Sequence, residues 1–224
     1  MIYQVDNILQ DVRICLDENN VSAALISSGD IDTLSLNDII RSKIVEAVDS
    51  VHKVAPYYLL EGGHDIIDAQ SGGLVGSNYG IAIHWGDLES GWILLPSDFL
   101  RLVVFEMSDW ERAVYEVIST ADIDYAKQRS RFKGLRGTVQ KPVCVLAMRP
   151  EGKVLEFYSC KSENATVSRA QYIPYAEIDN NGGVDISERC YKAVVYTIAG
   201  LSLLSCGEAQ KAALFTETSK TFLQ

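Results

Sequence analysis

The sequence predicts an α+β protein in which helices from both ends of the chain form a bundle, with a β-rich insert of antiparallel strands between them. Apolar residues recur at helical spacing near both ends, whereas short alternating or wholly apolar runs fill the middle. Eight of the sixteen glycines lie between Gly62 and Gly91, which breaks any helical pattern there. We therefore expect residues 1–60 with 187–224 to form the helical part and residues 61–186 the insert.

Two helices are predicted before the insert. The first covers residues 3–18, and its apolar face consists of Val5, Ile8, Leu9, Val12 and Leu16. The second begins after Ser35, whose spacing from Asp38 resembles a capping box with Asp in place of Glu. It ends before Pro56, because proline cannot continue a helix.

The insert contains several strand-like runs, at residues 81–85, 92–95, 100–107 and 113–118. Residues 142–148 and 153–159 flank a Pro-Glu-Gly turn sequence, which predicts a β-hairpin. Residues 170–178 predict another strand. Pro174 within it favours an edge position, since proline lacks the N–H that a ladder needs.

Helical spacing returns after the insert. Ser187 is a candidate N-cap for a helix whose broad apolar face consists of Tyr191, Val194, Val195, Ile198, Leu201 and Leu204. Gly207 should end that helix, and residues 208–223 predict a final, more polar one.

The charge of the chain is uneven. The 224 residues are 47% hydrophobic and 22% charged, which is typical of a globular protein, with a formal net charge of −10. Residues 1–120 hold 19 acids and 6 bases, whereas residues 121–224 hold 11 acids and 14 bases. An acidic total argues against general coating of nucleic acid. Such a split in charge would allow an acidic face of one copy to meet a basic face of another, but solvated surface charge is the commoner explanation.

No signal peptide or membrane span is expected, because the N-terminus lacks a basic start with an apolar core and the most apolar stretch, residues 193–206, is too short. The five cysteines are odd in number and show no CxxC spacing, so we expect reduced thiols in a cytosolic setting.

Signals for catalysis, a metal or a cofactor are weak, and none is predicted. His64 and Asp65 with Asp68 could hold a metal, but a solvated loop is the simpler interpretation. Residues 72–80 are glycine-rich like a phosphate-binding loop, yet they lack its Gly-Lys-Ser/Thr ending. A cysteine could serve as a nucleophile in principle, although buried structural thiols are more common.

One cluster of bases has no acid between Asp124 and Glu151. We call it the basic strip, and it consists of Lys127, Arg129, Arg131, Lys133, Arg136 and Lys141. It is either a solvated surface segment or a strip that meets phosphate or a neighbouring acidic surface.

A short phrase in the insert carries a resemblance to a known family. The phrase includes Leu95, Pro96, Asp98, Phe99 and Arg101. Together with the segment from Gln128 to Pro142 and the helical ending, it resembles the head-to-tail connector proteins of tailed bacteriophages, which include portal adaptors, neck rings and tubular tail proteins. The style is closest to connectors of crAss-like phages. The glycine-rich residues 62–91 match no pattern of that family.

The resemblance implies a structural virion protein of the neck or tail that is in the host cytoplasm during assembly, not an enzyme. The implied partners are copies of the same chain in a closed ring of twelve, the portal, other neck or tail rings, and packaged DNA that passes through without sequence recognition. By analogy the last helix would contact the portal, through Glu208, Lys211, Phe215, Lys220 and Phe222. A different virion module, a small cytosolic phage-encoded enzyme and a nucleic-acid-binding protein remain open.

Overall fold

The structure is a computed structural model that describes residues 1–16, 35–60, 63–66, 81–132 and 134–224. The described residues form a mixed helix-and-strand protein, as predicted. In chain order its elements are β1 (Ile2–Gln4), α1 (Val5–Cys15), α2 (Leu36–Val54), β2 (His64–Asp65), β3 (His84–Trp85), β4 (Gly91–Leu94), β5 (Phe99–Met107), β6 (Ile118–Ser119), α3 (Ile123–Gln128), β7 (Val143–Arg149), β8 (Gly152–Tyr158), β9 (Val167–Pro174), β10 (Gly183–Asp185), α4 (Tyr191–Ser205) and α5 (Ala209–Thr221).

The chain divides into two compact units. The first consists of Met1–Gly62 with Tyr175–Gln224, and the second of Gly63–Pro174. Each unit has its own cluster of buried apolar side chains. Residues 175–186, which the sequence grouped with the insert, belong to the first unit, where β10 pairs antiparallel with β1.

The first unit is built on α4, which packs against α1, α2 and α5. Helix α4 is buried along most of its length because alanine, valine and isoleucine occupy several of its faces, from Ala193 to Leu203. Ser35 caps α2 as predicted, since its Oγ accepts a hydrogen bond of 3.3 Å from the Asp38 N–H. The predicted break at Gly207 is confirmed by its left-handed backbone, with φ of 85°.

The second unit contains two sheets. One has the strand order β2-β9-β5 and the other the order β3-β4-β8-β7-β6. The predicted hairpin is confirmed as the antiparallel pair β7–β8. The expectation of purely antiparallel strands is wrong, because β6 and β7 run parallel. The intervening residues 120–142, which include α3, form the crossover that a parallel pair needs.

Two other strand predictions are wrong in detail. Of the run at 113–118, only Val114 makes an isolated bridge and only Ile118 enters a strand. Tyr115 and Glu116 between them are exposed, so the run lacks the burial that would hold a longer strand in register. Strand β9 is central rather than an edge strand. It tolerates Pro174 because that residue is its last, beyond the positions Gln171 and Tyr172 that β2 covers.

Candidate functional site

The basic strip begins on the short helix α3, at the surface of the second unit. Asp122 caps this helix by accepting a hydrogen bond of 3.0 Å from the Asp124 N–H. Lys127 Nζ lies 2.5 Å from the Asp124 carboxylate. Arg129 Nη2 donates to the Tyr125 hydroxyl at 2.6 Å, and its guanidinium lies 4.9 Å from the centroid of that ring. The start of the strip is therefore anchored to its own helix.

The other members of the strip differ in their exposure. Arg131 and Lys141 are exposed to solvent, and Lys133 lies outside the described residues. Arg136 is only 8% exposed, and its guanidinium donates to the Leu88 carbonyl at 2.9 Å and lies 3.6 Å from the Glu89 carboxylate. The strip thus supplies both surface cations and one internal cation.

Arg136 holds a strained turn. Leu88 and Glu89 occupy the middle of the connection from β3 to β4, with φ of 60° and 61°. Two successive residues with positive φ are typical of a type I′ hairpin turn, in which Asn-Gly is favoured. Leucine and glutamate are costly there, and such strain persists only when surrounding contacts impose it. The Arg136 guanidinium supplies contacts to both residues.

Two exposed apolar side chains follow Arg131. Phe132 is 75% and Leu135 is 57% exposed. We call residues 129–132 with 134 and 135 the basic loop. Removing the apolar side chains of Phe132 and Leu135 from water would be favourable. Exposed aromatic and branched side chains next to arginine are typical of interaction surfaces.

The phrase at Leu95–Arg101 connects β4 to β5 and is part of the core of the second unit. Leu95 and Phe99 are buried, Pro96 lies partly buried between the strands, and Arg101 is half-buried in β5. Asp98 is exposed and accepts hydrogen bonds from the Tyr172 hydroxyl at 3.0 Å to each oxygen. Burial, and then this hydrogen bond, raise the pKa of Tyr172 to about 12.

The last helix presents a mixed surface. Glu208 pairs with Lys211 at 3.4 Å, and Lys220 pairs with Glu217 at 2.7 Å. Phe215 and Phe222 pack against Tyr196 of α4, with ring centroids 5.8 and 5.3 Å apart. Both aromatic rings therefore help to hold α5 on α4 and are half-buried.

A cleft of about 460 Å³ opens on one face of the five-stranded sheet. Its lining includes Trp85 and Trp92 and two arginines, Arg129 and Arg149. The Arg149 guanidinium lies 4.8 Å from the centroid of the Trp92 ring, and the Trp85 ring packs edge-on against Phe157. Of this group, only Arg129 was predicted from the sequence. A glutamate within the apolar run of β8, at position 156, was the signal that could have indicated it, because an acid at a sheet centre needs dedicated partners.

Glu156 is 6% exposed, and its carboxylate is fully hydrogen-bonded. Arg149 donates to Oε1 from Nε at 3.2 Å and from Nη2 at 2.7 Å. The hydroxyls of Tyr158 and Tyr125 donate to Oε2 at 2.8 and 3.4 Å. Burial, and then the bond to Glu156, raise the pKa of Tyr158 above its ordinary value, so it remains a donor at neutral pH.

No histidine or cysteine of the described residues lines this cleft, although His84 contacts the lining residue Trp92. His84 stacks on Trp92 with ring centroids 3.9 Å apart, and His64 meets the edge of Tyr172 at 6.1 Å. Burial raises the pKa of Cys144 well above its ordinary value and that of Cys160 to about 12, so both are thiols rather than nucleophilic thiolates at neutral pH. Among the described residues, no group of three or more His, Cys, Asp or Glu could hold a metal ion.

No family model matches this sequence, and no curated protein matches it at a significant level. Within the described ranges, no helix is long and apolar enough to cross a bilayer.

Proposed function

We propose that this chain is a head-to-tail connector subunit of a tailed bacteriophage, a structural virion protein that assembles with copies of itself as a ring below the portal. DNA would pass through that ring without sequence recognition. The proposed location is the neck or tail of the virion, after assembly in the host cytoplasm. The resemblance at Leu95–Arg101 motivates this proposal, and the surface of the basic loop supports it.

The observation that carries the proposal is the exposure of Phe132 and Leu135 beside Arg131 in a chain of net charge −10. Apolar anchors supply most of the energy of an interface, whereas flanking charges set orientation and rate. A ring needs heterologous contacts, in which one patch of a subunit meets a different patch of the next. A basic, apolar patch on an otherwise acidic chain is suited to such a contact with an acidic surface.

The helical part completes the proposal. We propose that α1, α2, α4 and α5 act as a terminal-helix bundle, with the outward side of α5 meeting the portal. The exposed cations Lys211 and Lys220 and the exposed acids Glu208 and Glu217 alternate along that helix. Leu214, which is also exposed, would be its apolar anchor.

The decisive experiment is size-exclusion chromatography with light scattering, followed by electron microscopy, of the chain alone and mixed with a portal protein. We expect closed rings, alone or on the portal. The double substitution Phe132→Ser with Leu135→Ser should shift the chain toward monomer. Arg131→Glu should act in the same direction, and high salt should weaken assembly because it screens the charged contacts.

The matched control is Met148→Ser in the β7–β8 hairpin. Met148 is 76% exposed, so its replacement removes a comparable apolar side chain from the same unit outside the basic loop. A chain that stays monomeric at every concentration and ignores portal would overturn the proposal. Rings that persist in the Phe132 and Leu135 double variant would exclude the basic loop as the contact.

A further inference from the structure

The acidic charge of the chain belongs mainly to the first unit. Residues 1–62 with 175–224 contain 16 acids and 8 bases, whereas residues 63–174 contain 14 acids and 12 bases. The basic loop belongs to the second unit. In a neighbouring copy, the first unit is therefore the part that attracts the loop most strongly, because opposite charge draws two surfaces together.

The ends of the basic loop are fixed to the second unit. The Gln128 side chain is 4% exposed, and its carbonyl oxygen accepts a hydrogen bond of 2.8 Å from the Gly137 N–H. Within the loop, the Phe132 N–H donates to Ser130 Oγ at 3.2 Å, and the Leu135 N–H donates to the Phe132 carbonyl at 3.1 Å. A segment that is held in this way loses less conformational entropy on binding, which suits its exposed Phe132 and Leu135 to act as interface anchors.

A face of the first unit combines exposed apolar side chains with acids. The antiparallel pairing of β1 with β10 places Ile2 opposite Asp185, so their side chains share one face. A Cβ on Gly183 would lie 2.6 Å from the Ile2 side chain and 2.7 Å from the Asp179 carboxylate, so these two groups border the same spot. Ile2 is 68% and Ile178 is 39% exposed. We call this surface the acidic face, and it consists of Ile2, Asp6, Ile178, Asp179 and Asp185.

A hollow of about 220 Å³ lies within the acidic face. Its lining includes Gln4, Asp6 and Ile178. The hollow is smaller than typical small-ligand sites, which have volumes of about 300–1,000 Å³. Its size and its apolar wall at Ile178 therefore suit an inserted side chain better than a separate ligand.

The acids of this face are weakly engaged within the chain. Asp6 pairs with Arg41 at 3.4 Å, and Asp185 pairs with the Met1 amine at 2.7 Å. All four groups are more than half exposed, and exposed ion pairs contribute little free energy. The third acid, Asp179, is also exposed. An incoming arginine can therefore approach these carboxylates at low cost.

We propose that the basic loop of one copy docks on the acidic face of the next copy, with an apolar side chain of the loop in the hollow and the loop arginines beside the carboxylates. The inference rests on the proposed ring, and it names the second of the two patches that a heterologous contact needs. Each copy keeps its own loop or face available after binding, so the contact can repeat around a ring.

Two variants that each lack one patch test the proposal by complementation. Phe132→Ser with Leu135→Ser removes the anchors of the loop and keeps the face, whereas Ile2→Ser with Ile178→Ser does the reverse. Each variant alone should associate at least about tenfold more weakly than the untagged, unmodified chain, as expected for the loss of interface anchors. An equal mixture should form a complex of twice the mass of one chain in light scattering, because only one intact contact is possible.

The matched control is Ile14→Ser, since Ile14 is 53% exposed near the other end of α1, outside the acidic face. This variant should assemble like the unmodified chain. Far-UV circular dichroism checks that every serine variant is folded. Benzoylphenylalanine in place of Phe132 gives a second readout, because illumination should crosslink it to residues 1–6 or 178–185 of another copy, identified by mass spectrometry.

The outcomes separate this inference from the proposed function. The two-copy complex in the mixture, with crosslinks from position 132 to the acidic face, supports the inference. An unmodified chain that never assembles would overturn both proposals. Where the unmodified chain does assemble, three results would overturn this inference and leave the ring: assembly that persists in either double variant, a mixture that stays monomeric, or crosslinks from position 132 to the second unit.

Discussion

Asp98, which lies in the phrase Leu95–Arg101, has a structural role through its contact with Tyr172 of β9. The Tyr172 hydroxyl donates to Asp98 at 3.0 Å, and its ring stacks on Phe99 with centroids 5.8 Å apart. These contacts connect β9 to the segment before β5 within the second unit. Asp98 therefore helps to position β9.

The raised pKa of Tyr172 predicts a dependence of stability on pH. Its pKa is about 12 in the folded chain and about 10 when unfolded. The unfolded state therefore loses the proton first, so this contribution to stability is complete below pH 10 and disappears as the pH rises toward 12. Urea denaturation of Tyr172→Phe at a series of pH values should show a shallower decline above pH 10 than the unmodified chain.

Asp98→Asn provides the matched comparison for that prediction. It keeps an acceptor for the Tyr172 hydroxyl but removes the negative charge that disfavours the tyrosinate. Its alkaline decline should begin near the same pH of about 10 but be shallower and level off at a lower pH than that of the unmodified chain, because tyrosinate formation becomes less unfavourable in the folded state. Identical alkaline profiles for all three proteins would contradict the assignment.

At the scale of elements, local signals decide where helices begin and end. Ser35 marks the start of α2, and Gly207 marks the end of α4. The backbone N–H and C=O groups at a helix end lack partners within the helix, so residues close in sequence satisfy them. Strands depend more on distant partners. Strand β6 has only two residues, and it is a strand because Ile118 and Ser119 pair with Val145 and Leu146 of β7.

The N-cap of α2 gives a direct test at this scale. Ser35→Ala removes the acceptor for the Asp38 N–H, which should lower the free energy of unfolding by about 1 kcal/mol in urea denaturation. Ser42→Ala on the exposed side of the same helix is the control, and it should be neutral or slightly stabilising because alanine favours helix. Equal losses in both variants would show that the cap itself contributes nothing.

At the scale of the whole molecule, the chain has two separate apolar cores. Ile44 belongs to the core of the first unit and Ile93 to that of the second, and both are fully buried. The first unit joins residues from both ends of the chain. A destabilising change near residue 44 should therefore also lower the local stability near residue 195.

The matched substitutions Ile44→Val and Ile93→Val test this division. Each removes one buried methylene at a cost of about 1 kcal/mol. Hydrogen exchange should show that Ile44→Val lowers amide protection mainly in residues 1–16, 35–60 and 175–224, whereas Ile93→Val lowers it mainly in residues 81–132 and 134–174. Equal loss of protection everywhere in both variants would indicate a single cooperative unit.

The candidate site was only partly predictable. A run of bases can be identified from the sequence alone, and five of its six members lie in the described part of the chain. The sequence did not indicate that Arg136 is buried under a strained turn, because burial depends on which loop packs over it. Nor did it indicate that Arg129 shares a cleft with Arg149, since they meet only through Tyr125 and Glu156.

The sequence by itself determined the mixture of helices and strands, the cap at Ser35, the break at Gly207 and the β7–β8 hairpin. Each of these depends on residues close together in the chain, whose spacing and backbone preferences act locally. Only the tertiary structure decided the parallel pairing of β6, the central position of β9, the placement of β10 beside β1 and the lining of the cleft. Those features join residues far apart in sequence, and their energies come from pairing and burial that no local pattern specifies.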